Sequence, residues 1–115
     1  MQIGAMTSNG QTVHALACDW NDSKSAILAG PAVVAAIATA KTALDACAPQ
    51  GSAAKLQWSS VTSKPVLVKG EDEGIGACIA EAATPVVAIT KGTCTAIVLV
   101  GDPKRAGLMA APLHD

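Results

Sequence analysis

Two tryptophans are the only aromatic side chains in a chain of 115 residues that is 50% apolar. Its core must therefore be filled by Ala, Val, Ile and Leu. A chain of this length forms one domain, residues 1–115, and buries enough surface to fold without a metal or disulfide framework. The formal net charge of −1 argues against a nucleic-acid module, which would carry a basic excess. No apolar run reaches the roughly eighteen residues of a transmembrane span. The first residues, "MQIGAMTSNG", lack the basic region and long apolar stretch of a signal peptide. These features lead us to expect a soluble, cytoplasmic protein.

Cys18, Cys47, Cys78 and Cys94 are widely and irregularly spaced, with no CxxC pair. With only two histidines, His14 and His114, no zinc-site spacing exists and no metal is expected. The cysteines read as buried free thiols, with Cys94, in a predicted turn, the most exposed of them.

Along the chain, "IGAMTS" and "TVHALAC" form a hairpin around an Asn9-Gly10 turn of type I′. Asp22 and Ser23 offer helix N-caps, and a short helical piece covers 24–29. Gly30-Pro31 interrupts it and opens a new helix, in which Val33, Ile37 and Leu44 form a buried stripe while Lys41 and Asp45 face solvent. Pro49 and Gly51 end that helix. The following pattern is β. "KLQWSS" places Leu56 and Trp58 on one face, "KPVLVKG" tolerates Pro65 at its start, and "EDEG" is a solvated turn. "IGACIAE" and "VVAIT" read as two further strands. "TAIVLVG", the most hydrophobic strand, is central, and a turn at 91–93 joins it to "VVAIT". Pro103 starts a last short helix that Pro112 stops. The resulting order, β-β-α-β-β-β-β-β-α, predicts an α+β fold: an antiparallel β-meander with flanking helices.

No phosphate loop, dinucleotide fingerprint or Ser–His–Asp arrangement is present, so no cofactor and no catalysis are expected. Glu71, Asp72 and Glu73 read as a solvated turn rather than a cation site, and His14 and His114 as structural and solvated respectively. Five of the eight basic residues, Lys64, Lys69, Lys91, Lys104 and Arg105, fall in the second half, and Arg105 offers a planar fork for a carboxylate.

"KPVLVKGEDEG", "VVAITKGTCTAIVLVG" and "DPKRAGLM", taken in order, resemble the C-terminal half of the profilin family. "SNGQTVHALA" resembles that family's first hairpin, and "LQWSSVTSKPVLV" a later strand pair. The resemblance spans about residues 3–110. It implies a profilin-like fold and an actin-monomer binding protein that regulates filament assembly in the cytoplasm and cytoskeleton. Lys69, Lys91, Arg105 and Gly107 match positions on the family's actin face, with Lys104 beside it. His14 stands where the family commonly has Trp. With no Tyr or Phe, Trp20 and Trp58 are the only candidate walls of the polyproline groove, so binding of proline-rich proteins is expected to be weak or lost. Phosphoinositides are a further partner class that the resemblance implies. Alternatively, "AGPAVVAAIATA" and "GIGACIAEA" are similar to the roadblock and longin scaffolds, dimers that act on small GTPases and have three strands after the helix where five are expected here. A thiol-dependent redox protein is a third reading.

Overall fold

The computed structural model describes residues 2–19, 23–59, 65–84 and 92–114. Strands β1 (Gln2–Ser8) and β2 (Gln11–Asp19) form the expected hairpin. Asn9 and Gly10 both take positive φ, 49° and 81°, as a type I′ turn requires. Helix α1 (Ser23–Thr39) then runs straight through Pro31, where the sequence had suggested a break. A proline inside a helix costs about 3 kcal/mol. Burial of Val33, Val34 and Ile37 in the next turns, each contributing roughly 1.5–3 kcal/mol, outweighs it. The interruption comes instead at Ala40 (φ −100°, ψ 11°), before α2 (Lys41–Cys47). Leu44 is buried, and Lys41 Nζ donates to Asp45 Oδ2 at 2.7 Å on the helix surface.

Strand β3 (Ser52–Ser59) and strand β4 (Val66–Gly70) follow as expected, with Leu56 and Trp58 fully buried on one face. The next segment departs from expectation. "IGACIAE" is not a strand but the body of helix α3 (Glu73–Ala82). The Asp72 carboxylate accepts from the Ile75 backbone N–H at 2.8 Å, which caps the helix, and Glu73 sits in its first turn near the positive dipole end. Gly76, Ile79, Ala80 and Ala83 are the buried positions, at helical rather than alternating spacing. The expected strand "VVAIT" and the turn residue Lys91 lie outside the described residues.

Strand β5 (Thr93–Val100) completes the sheet, followed by α4 (Pro103–Ala110) and a 3-10 turn (Ala111–His114). Pro103 occupies the first turn of α4, where its missing N–H has no helical partner to lose. All strand pairs are antiparallel and the order is β1-β2-β5-β3-β4. The α+β expectation of an antiparallel sheet with flanking helices holds. The strand sequence is not a simple meander, because β5 inserts between β2 and β3, and three strands rather than five follow the first helices among the described residues.

β5 is central, as its hydrophobicity suggested. Cys94, Ala96, Val98 and Val100 enter the main core with residues of α1, α2 and α3, while Ile97 joins Ala53, Ala110 and Leu113 in a smaller cluster under α4 and the 3-10 turn.

The cysteines are not free thiols. Cys18 and Cys94 are register partners on β2 and β5, with Cα atoms 4.1 Å apart, and they form a buried disulfide. Cys47 and Cys78 join α2 to α3 in a second one. Cys94, expected in an exposed turn, lies in the core because the strand begins at Thr93. Among the described residues, no helix is long and apolar enough to cross a membrane.

Candidate functional site

Two regions bring chemistry-bearing side chains together. The first is the corner where α4 meets the end of β4. Asp102 caps α4 by accepting from the Arg105 N–H at 3.3 Å, and this turn aims the Arg105 guanidinium back at the β4–α3 connection. Its two terminal nitrogens donate to the two Glu71 carboxylate oxygens at 2.9 and 2.6 Å, a bidentate pair. Arg105 also donates to the Gly51 carbonyl, and Ser52 Oγ donates to Glu71 Oε1 at 2.7 Å. The Arg105 guanidinium first, and the Ser52 hydroxyl second, hold the Glu71 carboxyl down at about 2, while the same carboxylate raises Arg105 further. The fork predicted to meet a carboxylate does so, but within the chain.

This pairing divides the residues expected to face a partner. Arg105 is engaged in bracing the fold. Lys69, on the outer strand β4, and Lys104, in the first turn of α4, are exposed. Gly107 lines a cleft of about 250 Å³ on the other flank of α4, together with His14, Lys41 and Asp45. Lys91 and Trp20 lie outside the described residues. Lys55, which the sequence did not single out, stands directly opposite Lys69 in the β3–β4 register. Like charges placed directly opposite one another are destabilising, so packing gives no reason for this pair. Beside them Val66 and Val68 are each 50% exposed, and Leu108, one turn after Lys104 on α4, is 69% exposed.

The second region is an open cleft of about 570 Å³ lined by Gly4, Ala5, His14, Ala15, Leu16 and His114. The two histidines, read as structural and solvated, meet here with ring centroids 5.7 Å apart and planes at 46°. Burial first, and the neighbouring His114 second, push the His14 pKa below its usual value. Both strands are irregular at this point. β1 shifts register around Gly4 (φ +93°), and β2 shifts between His14 and Ala17, with Ala15 at φ +51°. An alanine in the left-handed region is strained by about 1–2 kcal/mol. Bulges of this kind re-aim the adjacent side chain. Neither the bulge nor the meeting of His14 with His114 has a signal in the sequence, since alanine does not announce positive φ.

Asp45 lines the smaller cleft. Burial opposes its ionisation, but Lys41 and the Gly101 backbone N–H, which donates at 2.9 Å, draw its pKa below the ordinary value. No group of three or more metal-ligating side chains occurs among the described residues. No family model, curated protein or solved structure matches this chain.

Proposed function

We propose that this chain is a protein-interaction module rather than a catalyst, that the rim built by β4 and the first turns of α4 is its contact face, and that monomeric actin is its partner. The observation that carries the reading is the Lys55–Lys69 pair beside exposed Val66 and Val68 on an outer strand. Exposed apolar side chains flanked by cations suit an acidic protein surface, and β4, outermost of the described strands, supplies backbone hydrogen-bonding groups. Actin as the partner rests on the resemblance to profilins alone. Polyproline recognition is not part of the reading: it needs aromatic walls, Trp58 is sealed in the core and Trp20 lies outside the described residues.

The disulfides set the terms of the test. Such bridges persist in oxidising compartments, whereas a cytoplasmic partner would meet the reduced chain. Inhibition of actin assembly is therefore measured with oxidised and with reduced protein, at two salt concentrations. Binding that weakens with salt, and that weakens roughly fivefold further in Lys69→Glu/Lys104→Glu, supports the reading. No effect on assembly in either redox state removes actin as the partner.

A second reading, a dimeric scaffold of roadblock or longin type acting on small GTPases, is favoured by one observation: three strands follow the first helices among the described residues. Sedimentation that finds only monomer at micromolar concentration rules it out.

A further inference from the structure

We propose that His14 and His114 form a two-imidazole binding site for a divalent late first-row transition metal ion, of the zinc and copper class, at the rim of the larger cleft. The chain has only two histidines, at opposite ends of the sequence, and the fold brings both to one place. Their separation fits a shared ion. A metal–nitrogen bond of 2.0–2.1 Å puts each ring centroid about 3.2 Å from the ion, so two rings lie about 5.2 Å apart at a tetrahedral angle and about 6.4 Å apart when linear. The observed 5.7 Å falls between these limits. Stacking for its own sake would bring the planes parallel or perpendicular, and they stand at neither.

Each ring is positioned by the residue beside it in the chain. His14 is placed by the strained bulge at Ala15, a conformation that persists only where the surroundings enforce it. His114 is held by its neighbour Leu113, which is 3% exposed and anchored in the cluster beneath α4. Imidazole nitrogens suit zinc, copper and nickel, with copper bound most tightly. Two imidazoles are fewer protein ligands than a zinc site ordinarily has, so water or a small donor ligand completes the ion's shell. The site is independent of the proposed contact face. It lies on the β2 side of the sheet, and Lys69 lies on β4 at the other end of the strand order.

The test uses the oxidised full chain without a histidine tag, so that no thiol and no added imidazole competes. Zn²⁺ is titrated calorimetrically and Cu²⁺ by its visible absorption, and the imidazole resonances of both histidines are followed by NMR. One equivalent should bind, both rings should shift together, and His14→Gln or His114→Gln should each lower affinity at least about tenfold. His114 is exposed, so its variant keeps the fold and isolates the ligand effect. Absence of saturable binding at millimolar metal, a shift in one ring only, or unchanged affinity in His114→Gln overturns the site.

Discussion

Removing the two disulfides should reveal how much of the stability of this small domain comes from chain connectivity. The bridges are nested: Cys47–Cys78 closes a loop with a separation of 31 inside the separation of 76 closed by Cys18–Cys94. With the inner loop already closed, the effective outer loop is 76 less 31, or 45 residues. Loop-closure entropy then assigns about 4 kcal/mol to the outer bridge when the inner is intact, and about 3 kcal/mol to the inner when the outer is intact. Closing the inner loop of 31 by itself contributes about 4 kcal/mol, and the outer bridge added to it about another 4, so together they contribute about 8 kcal/mol, comparable to the whole stability of a typical domain of this size. The outer pair should exceed its entropic value, because Cys18 and Cys94 are buried and their replacement leaves unfilled space, whereas Cys78 is exposed. Denaturant unfolding of Cys18→Ala/Cys94→Ala and of Cys47→Ala/Cys78→Ala, compared with oxidised wild type, measures both terms. Full reduction should leave the chain at or below the threshold of folding at 37 °C, visible as loss of near-ultraviolet circular dichroism. Four titratable thiols in the denatured, unreduced protein would refute the pairing. A reduced protein that melts within a few degrees of the oxidised one would refute the entropic reasoning.

Three further outcomes are expected. Glu71 has a folded pKa of about 2 against an ordinary 4.5, so its contribution is complete above pH 4.5 and is lost as pH falls toward 2. Urea midpoints across that window should fall in wild type and fall less steeply in Glu71→Gln. Ala15→Gly should stabilise by about 0.5–1 kcal/mol, the relieved left-handed strain less the extra unfolded-state freedom of glycine, and raise the melting temperature by a few degrees. Asp72→Ala should destabilise by about 1 kcal/mol through loss of the α3 cap, and Asp72→Asn by much less, read from chemical unfolding at pH 7.

The segments legible in the sequence are those whose conformation is decided by neighbours along the chain. Asn9-Gly10 dictates its turn, alternation puts Leu56 and Trp58 on one face, and Asp102-Pro103 opens α4 by local capping chemistry. The misreading at α3 is instructive. Apolar alternation in "IGACIAE" mimics a strand, and Asp72 and Glu73 ahead of it, read as a solvated turn, are the residues that start the helix. Continuation through Pro31 was not readable, because the burial that outweighs the proline depends on what α1 packs against.

At the candidate sites the division is sharper. Residue types could be read from the sequence: five of the eight basic residues in the second half, a forked Arg105, two histidines and four cysteines. Which of them meet could not. Four cysteines allow three pairings, and only the β2–β5 register and the α2–α3 contact select one. Arg105 became a brace rather than a free cation because Glu71 reaches it across the fold, and His14 met His114 because a bulge turned one strand. Local conformation follows from steric and capping preferences carried by a few adjacent residues. The meeting of distant side chains follows from sheet register and helix docking, which depend on the packing of the whole core.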